Sequence, residues 1–362
     1  MAAAGADDPG VTPPPVPTAA PVLESGAGAV GSPRTPTDAA VVLAGVSRSF
    51  AGSPALDACD LIAPRGRITV VLGPNGAGKT TAIRVVTGAL AADTGRVRTL
   101  GLDPLTDGEE VRRRCGVVSA KPALYDRLSG RENLRYAADL HGLGRARRER
   151  RLVEAAGRFG IADALDHRVG GYSTGMKTRL ALARAVLHDP DLCLFDEPTS
   201  GLDPESAQSV LGLIREMTDE GRTVVMCTHH LAEAEGLADH IVVLDHGRTL
   251  LAGSPGSLVR RFWPRPEVTV ETEAPLDPAL LARPGVEVLE LAGGGTRARL
   301  ALEEASATAD VVAAVVAAGG RVRRVVPHEP GLEALYFAVR RHAATGAGGG
   351  PASEAATSGE TP

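Results

Sequence analysis

The residues best suited to chemistry begin with a glycine-rich run that matches the pattern GxxxxGK[ST]. The run follows the apolar stretch RITVVL and leads into the helical stretch TTAIRVVTGAL, the strand–loop–helix context of a phosphate-binding loop. Glycines let successive backbone N–H groups turn towards phosphate oxygens, and the helix N-terminus adds partial positive charge. Lys79 would supply a charge between the β- and γ-phosphates. We predict a nucleotide-phosphate site made of Gly73, Pro74, Asn75, Gly76, Ala77, Gly78, Lys79, Thr80 and Thr81.

Two acidic residues, Asp196 and Glu197, end the apolar stretch DLCLF. An acid at the carboxyl end of a buried strand lies beside the phosphate loop, where it can hold Mg²⁺. A second acid directly after it suits a residue that orients and polarises an attacking water. We therefore predict that Thr80 and Asp196 are the metal ligands and that Glu197 is the catalytic carboxylate.

Short apolar runs alternate with longer helical stretches from Ala39 onwards. Several of the runs are nearly continuous, as expected for strands buried on both faces. Strands interleaved with helices indicate an α/β domain with a largely parallel sheet. The stretch over about residues 129–170 is helical only, which predicts an inserted helical subdomain. The apolar runs are AAVVLAGV, RITVVLG, CGVVS, DLCLF, TVVMCT and HIVVLD.

The remaining parts of the chain differ in composition. Residues 1–38 and 343–362 are rich in small residues and proline and lack apolar periodicity, which predicts disorder. A boundary near Phe262-Trp263-Pro264 separates residues 39–262 from a segment over 266–342. That segment has the order β-α-β-β-α-β-α, which predicts a small α+β module of the ferredoxin-like kind.

Composition restricts the function. A hydrophobic fraction of 43% and a charged fraction of 23% are those of a soluble globular protein. The net charge of −5 argues against nucleic acid as a partner. No run is long enough to span a bilayer, and the N-terminus lacks the basic region of a secretory signal. The four cysteines have no CxxC spacing, which favours buried, reduced thiols and argues against a zinc site or a disulfide framework.

Three further motifs surround the phosphate loop and the acidic pair. With them, residues 39 to about 260 resemble the ATP-binding cassette (ABC) ATPases, in the order Walker A, signature loop, Walker B, D-loop and H-loop. The resemblance implies a P-loop NTPase that binds ATP and Mg²⁺ and that dimerises with ATP. The motifs are Tyr172-Ser173-Thr174-Gly175-Met176-Lys177, Asp196-Glu197-Pro198-Thr199-Ser200-Gly201-Leu202-Asp203 and Cys227-Thr228-His229-His230.

The resemblance also implies roles for single residues. Ser173 and Gly175 would cap the γ-phosphate bound on the opposite subunit, which suits small residues at a helix N-terminus. Asp203 would lie at the dimer seam. His229 would be the switch histidine that faces the γ-phosphate, with His230 as its helical neighbour. Phe50 lies where the family stacks an aromatic ring on adenine, and a core phenylalanine is the alternative.

Two departures from the family pattern stand out. The Q-loop glutamine falls on Ala120, whose side chain cannot bind Mg²⁺ or water. Neighbouring Lys121 either reaches a phosphate or is a solvated loop lysine. The signature loop carries Thr174 and Met176 where the family usually has glycine and glutamine, although Ser173 and Gly175 are kept.

The stretches YSTGMKTRLALARAVLHDP, THHLAEAEGLADH and EPGLEALYFAVR resemble the ATPase subunits of ABC-2 type exporters, including the daunorubicin-resistance type. That resemblance implies a separate ABC-2 type membrane permease and a peripheral position at the cytoplasmic face of the cell membrane. The alternatives are a soluble ABC ATPase of translation or DNA repair and a non-hydrolysing nucleotide sensor. The arginine-rich run over residues 145–151 is interpreted as a solvated helix face, with contact to an anionic membrane or a permease loop as the alternative.

Overall fold

The computed structural model describes residues 38–328 and 330–346, and these form two compact units, residues 38–255 with 336–346 and residues 256–335. The strands are β1 (Ala39–Phe50), β2 (Ser53–Pro64), β3 (Ile68–Leu72), β4 (Thr94–Thr99), β5 (Cys115–Val118), β6 (Leu192–Asp196), β7 (Thr223–Thr228), β8 (His240–Asp245), β9 (Arg248–Gly253), β10 (Glu267–Thr272), β11 (Val286–Ala292), β12 (Arg297–Leu302) and β13 (Val322–His328). The α-helices are α1 (Lys79–Val86), α2 (Gly108–Arg113), α3 (Gly130–Leu140), α4 (Arg145–Arg158), α5 (Thr174–Val186), α6 (Pro204–Asp219), α7 (Leu231–Leu237), α8 (Pro255–Phe262), α9 (Pro278–Leu281), α10 (Ala307–Ala317) and α11 (Leu332–Gly346). Short 3-10 helices lie at Ala162–Ala164, Val169–Gly171 and Gly293–Gly295.

A six-stranded sheet in the order β5-β6-β7-β3-β8-β9 forms the centre of the larger unit. The neighbouring strands from β5 to β8 are parallel, and β9 is antiparallel to β8. Every residue of β3, β6 and β7 is buried, as expected for strands covered on both faces. The predicted α/β class is confirmed.

A second sheet of three antiparallel strands, in the order β2-β1-β4, lies in the same unit. Treating AAVVLAGV as a strand of the parallel sheet is therefore wrong. β1 turns directly into β2 through Ala51 and Gly52, whose φ angles of 48° and 84° fit the two-residue hairpin turn that matches strand twist. A hairpin connection makes antiparallel neighbours, whereas a parallel pair requires a longer crossover. The sequence analysis did not predict β2, β4 or β9.

One hydrophobic core joins the two sheets of this unit. It takes apolar side chains from β1 and β2 on one side and from β3, β6, β7 and β8 on the other, and it includes the buried face of α1. The helix that begins at the phosphate loop is thus fixed by apolar contacts, which hold its N-terminus in place.

Helices α3, α4 and α5 pack on one another, and α5 also contacts β5. Ser129 and Glu132 form a reciprocal capping box at the start of α3. Buried Asn133 accepts from the Tyr125 N–H at 2.9 Å and donates to the carbonyls of Tyr125 and Ser129. Its amide therefore fixes the segment between β5 and α3.

The arginine-rich run lies in α4. Arg148, Arg150 and Arg151 each form ion pairs with neighbouring acids, including Asp139, Glu149 and Glu154. Arg150 is 69% exposed, whereas Arg148 and Arg151 are 21% and 22% exposed, so the run is only partly the solvated face that the sequence predicts. Exposed pairs of this kind contribute little stability each.

The smaller unit contains a four-stranded sheet in the order β11-β12-β10-β13, in which every neighbouring pair is antiparallel. Its core is formed by apolar side chains of the sheet together with Leu281 of α9 and Val311 and Val315 of α10. The strands and helices follow the expected β-α-β-β-α-β order, while the ferredoxin-like assignment and the domain limits stay predictions.

The terminal segments predicted to be disordered, 1–38 and 343–362, lie outside the described residues except for Asp38 and residues 343–346. Helix α11 continues through those last four residues. Within the described ranges, no helix is both long and apolar enough to cross a membrane.

All four cysteines are buried and carry free thiols. Burial raises the pKa of Cys59 to about 11 and the pKa values of Cys115 and Cys193 to about 12. Burial likewise raises the pKa of Cys227 well above its usual value. These side chains act as small core residues.

A stacked pair of histidines joins the end of α3 to the end of α5. The rings of His141 and His188 are parallel, with centroids 3.7 Å apart, and His188 Nε2 lies 3.1 Å from the Cys115 carbonyl. Burial, reinforced by the neighbouring His141, lowers the pKa of His188 from 6.5 to about 4. Burial also lowers the pKa of His141.

We expect this pair to make the free energy of unfolding depend on pH. A base whose pKa is lower in the folded state stabilises the fold above its unfolded pKa, and that stability is lost as pH falls from 6.5 towards 4. A difference of this size corresponds to on the order of 3 kcal/mol. Urea unfolding of His188→Gln should show a shallower loss between these pH values than the wild type. His167→Gln, which changes an exposed histidine elsewhere in the chain, should keep the wild-type slope. Equal slopes for all three proteins would contradict the assignment.

Candidate functional site

Three neighbouring parallel strands bring the candidate site together. In the order β6-β7-β3, Asp196 pairs with Cys227 and Leu72 pairs with Thr228 in register. Because parallel strands end at the same edge of a sheet, the loops that follow them meet there. The phosphate loop follows β3, the acidic pair lies at the end of β6, and the histidine pair follows β7.

The phosphate loop depends on its glycines. Gly76 and Gly78 have φ angles of 83° and 104°, a region that L side chains rarely adopt. A Cβ on Gly78 would lie 2.5 Å from the Ala55 carbonyl oxygen, and a Cβ on Gly73 would lie 2.4 Å from that of Leu244. The outer face of the loop therefore packs tightly against Ala55 and Leu244, and its inner face is left to bind a ligand.

Lys79 is the buried cation of the site, with 6% of its side chain exposed. Its Nζ donates to the Gly73 carbonyl at 2.6 Å and to the Pro74 carbonyl at 3.3 Å. The same atom lies 3.2 Å from Glu197 Oε1. The ammonium group is thus held between the phosphate loop and the carboxylate that follows β6.

Thr80 and Asp196 bring two side-chain oxygens together at the start of α1. The Thr80 hydroxyl donates to Asp196 Oδ2 at 2.6 Å, and Asp196 is 3% exposed. Hydroxyl and carboxylate oxygens are the hard ligands that Mg²⁺ prefers. The two predicted metal ligands therefore lie together, in a donor set that fits this ion.

Glu197 connects the cation to the histidine pair. Its Oε2 lies 2.9 Å from His229 Nδ1, while its Oε1 is buried without a hydrogen bond among the described residues and faces Lys79. Its backbone has a φ of 53°, a strained value for a bulky residue, and its N–H donates to the Cys227 carbonyl at 2.9 Å. The fold therefore tolerates a strained backbone at Glu197, and this conformation directs the carboxylate towards the phosphate loop.

Glu233 is a positioning residue that the sequence analysis missed. Its two carboxylate oxygens accept from the buried hydroxyls of Thr199 at 2.8 Å and Thr228 at 3.0 Å. It therefore ties the loop after Glu197 to the residue before His229. The spacing of Glu233, five residues after Thr228, is the signal that could have indicated it.

A cavity of about 370 Å³ opens in front of the phosphate loop. Phe50 is 44% exposed at its edge, which is not the position of a core phenylalanine, and the Arg48 guanidinium lies 5.1 Å from its ring centroid. The wall also includes Ala120. The lining residues are Phe50, Ala55, residues 74–81, Ala120, Asp196 and Glu197.

The signature and D-loop residues lie outside this lining. Ser173 is the N-cap of α5 and accepts from the Met176 N–H at 3.2 Å. Asp203 is the N-cap of α6 and accepts from the Ser206 N–H at 2.9 Å. A Cβ on Gly175 would meet nothing closer than 3.8 Å, so packing within the chain does not demand a glycine there.

Two lysines near the site have different surroundings. Lys177 pairs with Asp126 at 3.0 Å and so ties the signature helix to the segment after β5. Lys121 is exposed, and its carbonyl accepts from the Ser119 hydroxyl. Within the described part of the chain its Nζ makes no ion pair, which favours the solvated alternative.

Comparison with known proteins agrees with this arrangement. A family described as ABC transporter matches residues 56–200. The chain is 40% identical over 219 residues to the daunorubicin/doxorubicin resistance ATP-binding protein DrrA of Streptomyces peucetius, a match that covers 60% of this chain and 66% of that protein. It is 36% identical over 297 residues to the daunorubicin resistance ATP-binding protein DrrA3 of Streptomyces coeruleorubidus, covering 76% and 92%.

A solved structure titled as the ATP binding subunit of an ABC transporter has the same fold. It superposes with a TM-score of 0.57 at 31% sequence identity and covers 61% of this chain and 92% of its own.

We expect Lys79→Ala to weaken MgATP binding by at least about tenfold, since a hydrogen-bonded charge contributes about 1.5–3 kcal/mol. Isothermal titration of the full chain measures the affinity. Lys121→Ala is the matched control, because it removes an exposed lysine from a loop at the same edge. Equal affinities of Lys79→Ala and the wild type would show that the loop does not hold the phosphates.

Proposed function

The chain belongs to the ATP-binding proteins of ABC transporters, which are ATPases, and we propose that it drives export of a drug, lipid or natural product through a separate membrane permease. The observation that carries the ATPase activity in this proposal is the line Lys79–Glu197–His229 beside the phosphate loop, with contacts of 3.2 and 2.9 Å. A buried carboxylate held beside the phosphate loop suits a residue that orients and polarises water for hydrolysis.

The geometry supports hydrolysis by the following division of roles. The phosphate loop and the N-terminus of α1 bind the phosphate oxygens of ATP, and Lys79 holds the charge at the β- and γ-phosphates. Glu197 accepts a hydrogen bond from water and orients it towards the γ-phosphate. His229 keeps that carboxylate in place from the side opposite Lys79. Phe50 is proposed to stack on the adenine ring.

Thr80 and Asp196 would hold Mg²⁺ through their adjacent oxygens. When bound, the ion neutralises charge that develops on the β- and γ-phosphate oxygens. Ala120 supplies no ligand, and Mg²⁺ keeps several waters in its octahedral shell. We therefore propose that water takes the place that a Q-loop glutamine would occupy.

We further propose that two copies of the chain close on ATP. Ser173 is exposed at the N-terminus of α5, and packing within the chain does not require a glycine at Gly175. A helix N-terminus with free N–H groups and no bulky side chain suits an anion, and none of these residues lines the cavity of their own chain. Ser173 and Gly175 would therefore contact the γ-phosphate bound by the partner copy, with Asp203 at the seam.

The proposed permease site is an apolar groove of about 390 Å³ beside α3. Tyr125 and Tyr136 meet edge to face at 5.2 Å and are 50% and 46% exposed, and Leu140 is 71% exposed. Exposed aromatic and apolar side chains around one groove are typical of protein interfaces. The segment at its edge follows Ala120, so the groove is connected to the ATP cavity through a few residues.

We propose that the chain is a peripheral subunit of an ABC-2 type exporter at the cytoplasmic face of the membrane. The names of the relatives, which are resistance ATP-binding proteins, support an exporter over a soluble ABC ATPase of translation or DNA repair. Glu197 and His229 together argue against a non-hydrolysing sensor.

Glu197→Gln tests the proposed ATPase. The amide keeps the shape of the side chain but cannot act as a base, so we expect ATP hydrolysis to fall by at least about a hundredfold. MgATP binding should persist, and an ATP-bound dimer should accumulate. Phosphate release and light scattering at saturating MgATP, with the permease present, measure the two effects.

Glu109→Gln is the control for that experiment, since Glu109 is a 78% exposed carboxylate on α2. Hydrolysis by Glu197→Gln at the wild-type rate would exclude Glu197 as the water-orienting residue. A mutant that stays monomeric with MgATP would contradict the proposed dimer.

Ala120→Gln tests the proposed water at the Q-loop position. We expect wild-type hydrolysis to persist and Ala120→Gln to raise Mg²⁺ affinity by no more than about tenfold, because a neutral oxygen replaces water. Titration of ATPase activity with Mg²⁺ measures this. Lys121→Gln, in the same segment but outside both the ATP cavity and the proposed permease groove, is the control. An inactive wild type that Ala120→Gln rescues would refute the proposed transport ATPase.

A further inference from the structure

His230 has a side chain that the proposed hydrolysis does not use. Its backbone N–H donates to the Thr228 hydroxyl at 3.0 Å, while its exposed ring lies against the ring of His229, with centroids 3.9 Å apart. Among the described residues neither of its ring nitrogens has a hydrogen-bond partner. Two adjacent imidazoles are therefore held together at the end of β7, and one of them touches Glu197.

Glu197, His229 and His230 form a compact set of ligand atoms. One atom from each side chain lies within 4.8 Å of the other two, and His229 Nδ1 lies 2.9 Å from Glu197 Oε2. Two ligand atoms that bind the same tetrahedral zinc ion each lie about 2.0–2.2 Å from the metal. The distance between two such ligand atoms falls between the 2.9 and 4.8 Å found here. Two imidazoles, one carboxylate and a water are also a common ligand set for zinc.

We infer that Glu197, His229 and His230 form a binding site for a divalent transition metal, Zn²⁺ above all, and that the bound metal stops ATP hydrolysis. Imidazole selects zinc and its neighbours over Mg²⁺, which prefers oxygen ligands, so the two ions bind at different places. The zinc ion takes the carboxylate that orients water together with the histidine that holds it. The spacing of the cysteines argues against a zinc site, but this set needs none of them.

Zinc binding at this site stands on the three side chains alone, whereas its effect on turnover rests on the proposed ATPase. The two are therefore measured separately. His230→Gln removes one ligand, keeps the backbone N–H that bonds to Thr228, and leaves Glu197 and His229 unchanged. His167→Gln, which changes an exposed histidine elsewhere in the chain, is the matched control.

The binding experiment titrates ZnCl₂ alone into the nucleotide-free full chain by calorimetry. We expect one Zn²⁺ per chain for the wild type and His167→Gln, and an affinity at least about tenfold lower for His230→Gln. Co²⁺ should give a visible absorption band of tetrahedral type that Zn²⁺ abolishes and that His230→Gln lacks. Equal zinc affinity in His230→Gln and the wild type, or no binding by the wild type, overturns the site.

The activity experiment measures phosphate release at saturating MgATP with free Zn²⁺ held by a metal buffer. We expect His230→Gln to keep the basal rate and to resist zinc concentrations that inhibit the wild type at least tenfold. A wild type that hydrolyses ATP normally with the zinc site filled overturns the inhibition. If no variant hydrolyses ATP, the proposed function fails, and the calorimetric titration still decides the site.

Discussion

The parallel register of β6, β7 and β3 is the constraint on which the site depends. These strands are fully buried and run in the same direction, so Leu72, Asp196 and Thr228 reach the same edge of the sheet. A shift of one strand by one residue would turn its side chains to the other face. Because both faces are packed, the core fixes the register, and the register fixes the distances between the loops.

Within that frame, buried charges balance each other. Lys79 and Glu197 have 6% and 12% of their side chains exposed, and each would be costly to bury alone. Lys79 is further satisfied by two loop carbonyls, and Glu197 by His229. The strained backbone of Glu197 persists because its N–H is bonded to β7. Strain at this residue is thus maintained by the same sheet that aligns the strands.

The sequence sufficed to predict the site where functional residues follow a strand directly. The loop at residues 73–80 and the acids at 196–197 each lie at the end of a continuous apolar run, and a local pattern suffices to place them. It was less informative for β2, β4 and β9, whose apolar residues are interrupted and whose pairing depends on distant strands. The contacts of Lys79 with Glu197 and of Glu233 with Thr199 depend on loop conformation, which no local pattern encodes. Ser173, Gly175 and Asp203 keep only predicted roles, since a single chain holds half of the arrangement that the family resemblance implies.

The burial of the four cysteines has a practical consequence for observing this protein at work. The thiolate is the reactive form, and thiols with pKa values of about 11 to 12 that are also shielded from solvent react poorly with alkylating reagents. A new cysteine on the surface would then take up a spin label or fluorophore selectively in the otherwise natural chain. Distances between labels on the two copies of the proposed dimer could be followed through a catalytic cycle without first rebuilding the core that sets the strand register.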